Sequence, residues 1–222
     1  MPSLKRYTPL QIFMHAAASF PLVRLVFEAF TGGLTANPIQ HIEQRTGRAA
    51  LTLLILALAV TPLNTLFGWS ELIKRRRALG LYAFLYACVH VIIFLNLDYG
   101  LAWSLIVQTV FEKPYILLGA AAFLLLIPLA VTSFDVWKAR LGKRWKYLHM
   151  LLYFIVPIAT LHYAWGKKGD FFHFSGEVGR PWAYAIVFIM LMILRIPAVR
   201  RFFASLRTRL RLPFSINKPQ AS

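Results

Sequence analysis

Leu51-Thr52-Leu53-Leu54-Ile55-Leu56-Ala57-Leu58-Ala59-Val60 holds one polar side chain and no charge in ten consecutive positions. Extended to roughly 48–68, the stretch matches the ~20 mainly apolar residues that a helix needs to cross a bilayer core. Five more segments have this character, at roughly 9–30, 79–97, 115–134, 147–166 and 181–199. The segments at 115–134 and 181–199 are as clear as the quoted one, whereas 9–30 is the weakest because it contains His15, Arg24 and Glu28. Composition agrees: 59% of the 222 residues are apolar and 15% charged, more apolar surface than a soluble domain of this size can bury. The net charge of +17 invites a nucleic-acid reading. Its distribution excludes one, since the cations form short runs between apolar stretches. The expected fold class is an all-α membrane protein with six transmembrane helices.

Orientation follows from where Lys and Arg collect. Lys5 and Arg6, the run Lys74 to Arg77, the loop from Lys138 to Lys146, and the tail from Arg195 onward together hold 18 of the 25 basic residues. The intervening loops hold only Arg45, Arg48, Lys113, Lys167, Lys168 and Arg180. Both termini are therefore expected in the cytoplasm. The expected organisation is a cytoplasmic N-terminus at 1–8, a transmembrane domain at 9–199 and a basic cytoplasmic tail at 200–222 lying on the anionic leaflet. Trp69, Tyr99, Trp103, Trp137, Trp145, Trp165 and Trp182 near the span ends fit an interfacial belt. The loops at 98–114 and 167–180 are the longest and lie outside, where they are suited to help form a docking surface. No cleavage site for a signal peptide is visible, and no internal repeat. Cys88, the single cysteine, excludes an internal disulfide and reads as a packing residue.

Six histidines remain to be explained. His41 and His173 fall in outer loops and read as solvated. His15, His90, His149 and His162 fall within spans, where an ionisable side chain is costly and points to function. His90 lies 13 residues beyond Arg77, and His162 lies 13 beyond His149, each about 20 Å of helical rise. His90 and His162 thus reach the outer half of the bilayer on two helices running the same way, and two such imidazoles can supply both axial ligands of a haem. His149 lies nearer the cytoplasm, and its opposite number falls at Arg76 or Arg77. A second haem there would have one imidazole, with arginine forks for its propionates. On an ideal helix His149 and His162 sit about 140° apart, and Pro157 between them is expected to kink or rewind the helix. The plainer alternative, interhelical hydrogen bonding, is preferred for His15. Arg24 and Glu28, four residues apart, are expected to neutralise each other.

The run Arg75-Arg-Arg-Ala-Leu-Gly-Leu-Tyr-Ala-Phe-Leu-Tyr-Ala-Cys-Val-His90, with Trp145-Lys-Tyr-Leu-His149 and Leu161-His-Tyr163, resembles the MsrQ family. These are haem-binding membrane subunits of bacterial periplasmic methionine sulfoxide reductase systems, within the ferric reductase-like transmembrane group. The resemblance implies one or two b-type haems, with the family's histidines falling on His90, His149 and His162. It implies electron transfer across the inner membrane to a periplasmic molybdopterin-containing partner, MsrP, which reduces the sulfoxide in repairing oxidised proteins. FMN is implied as a possible further cofactor. No G-x-G-x-x-G phosphate loop occurs, and the chain stops about 23 residues after the sixth span. Electrons are therefore expected from a separate quinol or flavin reductase on the cytoplasmic side. Competing readings are a quinol-linked cytochrome b anchor for another oxidoreductase and a small transporter with histidines along a proton or metal path.

Overall fold

The computed structural model describes residues 8–167, 169–173 and 175–209. Lys5, Arg6, Lys168, Arg211 and Lys218, which enter the charge pattern above, lie outside the described residues.

Thr8 caps the first helix, α1 (Pro9–Thr31), by accepting the Gln11 N–H at 3.3 Å. Asn37 does the same for Gln40 at 3.2 Å at the head of α2 (Pro38–Phe67). In both helices proline takes the first position, where its missing N–H costs nothing. The long α2 is the hub, packing against α1, α3 (Ser70–Ile92), α8 (Leu152–Trp165), α9 (Gly179–Ile193) and α10 (Pro197–Arg209). The pairs α2–α3 and α5–α8 are the most extensively packed, α5 being Pro114–Val131. Lipid tails are as apolar as leucine, so close approach of helix backbones must come from small side chains. Ala49, Ala50 and Ala57 on α2, Ala83 on α3, Ala122 on α5 and Ala164 on α8 are all buried. Large apolar groups face outward instead, with Phe30 89% and Leu124 64% exposed. That surface is stable only against lipid. Among the described residues, five helices are long and apolar enough to span, and a sixth span is made if α9 and α10 are taken together.

Several expectations are corrected. The segment 181–199 is not one straight helix: α9 and α10 meet at 78°, because Pro197 cannot continue the hydrogen-bond ladder and biases the residue before it out of the helical region. The fifth span divides into α7 (Arg144–His149) and α8. The join at Met150 and Leu151 is wound tightly by bonds spanning three residues, such as Leu151 N–H to Leu148 O at 3.1 Å and Phe154 N–H to Leu151 O at 2.9 Å. The rewinding between His149 and His162 is therefore centred about two turns before Pro157. The loop at 98–114 contains α4 (Trp103–Glu112), a short helix with Trp103 and Phe111 exposed. The basic loop carries α6 (Asp135–Leu141), and the loop at 167–180 carries a two-stranded hairpin, β1 (Gly169–Asp170) with β2 (Ser175–Gly176). His41, expected in a solvated loop, lies in the second turn of α2.

Side chains from other helices bond the backbone at or beside two internal prolines. Pro62 has no N–H for the Leu58 carbonyl, and the Arg195 guanidinium donates to that oxygen instead. Beside Pro21, the Tyr86 hydroxyl is inserted into the α1 ladder, donating to Ala18 O at 2.8 Å and accepting the Leu22 N–H at 3.0 Å.

Candidate functional site

His90 lies in the last turn of α3 and His162 in the last turn of α8. The structure brings them together, with ring centroids 6.1 Å apart and ring planes at 78°. Directly after His90 the chain changes to a π-helical segment at 93–98, a local widening that is frequent at functional sites. His90 Nδ1 lies 3.0 Å from the Glu43 carbonyl and His162 Nδ1 lies 2.6 Å from the Tyr115 carbonyl. A carbonyl has no proton to give, so Nδ1 must donate in both cases. Each neutral ring then keeps its lone pair on Nε2, and neither Nε2 has a hydrogen-bond partner among the described residues. An Nδ1–H tied to a carbonyl is the usual way a metal-ligating histidine is oriented. Two imidazoles on opposite sides of one iron, with metal–nitrogen bonds of ~2 Å, have centroids roughly 6 Å apart. The pair fits that requirement. No group of three or more His, Cys, Asp or Glu side chains able to hold a bare metal ion occurs among the described residues. A two-imidazole donor set suits a metal whose remaining ligands come from a macrocycle.

Two glycines make these hydrogen bonds possible. In an α-helix the carbonyl of residue i points toward residue i+4, whose Cβ obstructs a ring approaching that oxygen. Residue i+4 is Gly47 for Glu43 and Gly119 for Tyr115. A Cβ at Gly119 would fall 2.7 Å from His162 Cε1 and Nδ1, and one at Gly47 would fall 3.2 Å from the same atoms of His90. In both halves the carbonyl residue precedes its histidine by 47 positions. The α2–α3 and α5–α8 pairs thus carry the same clasp twice, although no repeat is visible in the side-chain sequence. Glu43, Gly47, Tyr115 and Gly119 are absent from the sequence reading. Glu43 and Tyr115, each 47 residues before a histidine, with Gly47 and Gly119 each 43 residues before the same histidine, are the signal that was there to be found.

His149, at the end of α7, is different. Its Nε2 is 3.2 Å from the Thr132 hydroxyl, which itself donates to Pro128 O at 2.6 Å. The Thr132 oxygen therefore accepts the Nε2–H, and the His149 lone pair resides on Nδ1. Trp145 packs on the ring at 4.1 Å between centroids. Arg76 is within electrostatic range of His149. Arg77 instead reaches α6, donating to both Asp135 carboxylate oxygens at 3.1 Å and lying over Phe134. Of the two expected arginines, Arg77 is engaged elsewhere, and Arg76 is near enough to His149 to interact electrostatically.

The other histidines have local roles. His15 Nδ1 bonds the Tyr82 hydroxyl at 3.0 Å across α1 and α3, as expected for an interhelical contact. Arg24 and Glu28 pair at 2.7 Å, but Glu28 also receives Arg45 at 3.1 Å and His41 at 3.5 Å. His41 is therefore part of a charge cluster rather than a solvated residue. His173 is exposed in the hairpin turn.

Residues 46–160 match the family model described as ferric reductase like transmembrane component. The chain is 45% identical over 163 residues to the protein-methionine-sulfoxide reductase heme-binding subunit MsrQ of Xanthomonas axonopodis pv. citri, covering 71% of this chain and 75% of that protein. It is 39% identical over 196 residues to the subunit of the same name from Herminiimonas arsenicoxydans, covering 88% of each. With that of Xanthomonas campestris pv. campestris strain 8004 it shares 41% over 185 residues, 81% of this chain and 82% of the relative.

Proposed function

The chain belongs to the ferric reductase-like transmembrane family and, within it, to the MsrQ heme-binding subunits, and from that premise we propose that it carries electrons through b-type haem to a methionine sulfoxide reductase partner. It is a multi-pass membrane protein. In this reading it sits in the bacterial inner membrane with both termini in the cytoplasm. Electrons enter on the cytoplasmic side from a quinol or a flavin reductase and leave to a periplasmic molybdopterin enzyme of the MsrP type, where the sulfoxide is reduced. The hydrophobic barrier and the basic cytoplasmic segments are the physical support for this direction.

His90 and His162 would hold one haem through the free lone pairs of their Nε2 atoms. Bound there, haem supplies a one-electron ferric–ferrous couple. The Glu43 and Tyr115 carbonyls hold the Nδ1 protons, so both rings stay neutral, correctly turned and unable to rotate. Gly47 and Gly119 let the rings reach those carbonyls. His149 is the single imidazole of a second site, and Arg76 supplies a guanidinium for a carboxylate there. Arg77 contributes through its ion pair with Asp135, which anchors α3 to α6.

The observation that carries this reading is the 6.1 Å imidazole pair with both Nδ1 atoms engaged by carbonyls. Reduced-minus-oxidised spectra of the haem-loaded protein test it. His90→Ala and His162→Ala should each abolish the same low-spin signal, while His149→Ala should change a separate population. A low-spin signal that survives loss of His90 overturns the pairing.

A further inference from the structure

The break between α9 and α10 borders, together with α2 and α8, a partly open cavity of about 360 Å³ that the electron-transfer reading does not use. Its polar lining is Arg195, Arg200, Tyr153, Thr61 and Thr65, and neither His149 nor Arg76 reaches it. Arg195 is fixed in place: it donates to the Tyr153 hydroxyl at 2.7 Å and to the Leu58 carbonyl, and its guanidinium lies 5.2 Å from the Tyr153 ring centroid. Its Nε is enclosed and has no hydrogen-bond partner among the described residues. All of its acceptors are neutral, and no carboxylate pairs with Arg195 or Arg200 among the described residues. On α3, Arg75 faces Glu71 and Arg77 faces Asp135, whereas Arg76, within electrostatic range of Arg195, has no carboxylate partner among the described residues. A half-buried guanidinium without a counter-charge is unfavourable unless an anion joins it.

The surroundings indicate what kind of anion. Ile193 and Ile196, on either side of the break, are each 48% exposed. On α10, Phe202 is 62% exposed, close along the helix to Arg200 and Arg201. The 78° bend turns α10 away from the direction of α9, as suits a helix lying in an interface with its arginines at headgroup level. A cationic, hydroxyl-lined cavity that Pro62, Met192 and Leu194 also line matches an amphiphile with an anionic head.

We propose that this cavity binds the headgroup phosphate of an anionic phospholipid, with Arg195 and Arg200 as the charge partners and Thr61 as a hydroxyl donor. The lipid neutralises Arg195 and fixes the angle between α9 and α10. The test uses the full-length protein, delipidated in detergent and titrated in parallel with phosphatidylglycerol, phosphatidylcholine and inorganic phosphate, with bound lipid counted by native mass spectrometry. One phosphatidylglycerol should be retained, about tenfold more tightly than phosphatidylcholine, as expected when a charge-assisted contact is gained. Arg200→Gln, at an exposed position, should weaken retention about tenfold without lowering haem content. Thr61→Val should weaken it less, and Arg195→Gln should abolish it if the variant folds. Equal retention of the two lipids, or unchanged retention in both Arg200→Gln and Thr61→Val, overturns the site. Displacement of the lipid by millimolar inorganic phosphate with equal protection overturns the lipid assignment in favour of a soluble phosphate.

Discussion

At the scale of single residues, the site depends on two missing methyl groups as much as on two imidazoles. The clearance is smaller at Gly119, at 2.7 Å, than at Gly47, at 3.2 Å. The first distance forces something to move, whereas the second is met by a shift of a few tenths of an ångström. Gly119→Ala should therefore displace His162 from the Tyr115 carbonyl and reduce haem content by tenfold or more, in line with an overpacking cost of about 1–3 kcal/mol. Gly47→Ala should retain haem but alter the low-spin electron paramagnetic resonance signal, which reports imidazole orientation. Equal and complete retention of the native signal in both variants would show that the glycines do not position the rings. The histidines were legible in the sequence because an ionisable group in an apolar run stands out. The glycines were not, because their role is the absence of a side chain opposite a residue distant in sequence.

At the scale of helices, proline makes vacancies that other helices fill. Arg195 takes the Leu58 carbonyl that Pro62 leaves without a donor. Pro62→Ala supplies the missing N–H, so Arg195→Leu should destabilise the native chain more than it destabilises the Pro62→Ala chain. A double-mutant cycle on thermal unfolding in detergent should give a coupling of about 1 kcal/mol, and additive effects would contradict the compensation. Tyr86→Phe should cost about 1–3 kcal/mol, since it leaves both Ala18 O and Leu22 N–H short of their bridge beside Pro21. The helical breaks were only partly readable. Pro197 marks the bend before α10, but the tight winding at Met150 and Leu151 has no proline or glycine at the join.

At the scale of the whole molecule, the charge asymmetry predicts one orientation in the membrane. A reporter that is active only in the periplasm should be inactive when fused after Ser222 and active when placed in the hairpin near Gly176. The opposite pattern would reverse the direction assigned to electron flow. The duplicated clasp also belongs to this scale. It places one histidine on each of two helix pairs, so the ligands converge only when α2–α3 packs against α5–α8. Loss of either pair's packing should therefore lose the shared haem signal rather than half of it.

The sequence by itself determined that the chain lives in a membrane, how many apolar segments it has and which histidines are costly enough to need a reason. Those properties follow from local composition, because burying charge in lipid is penalised whatever the fold. Tertiary structure alone decided that His90 and His162 meet while His149 turns to Thr132, that Arg76 and Arg77 part company, and that Arg195 closes a gap in α2. These outcomes depend on azimuth and on close approach between helices. Both are fixed by winding at a join, by a missing N–H and by a missing Cβ, effects that become visible only when the opposing helix is in place.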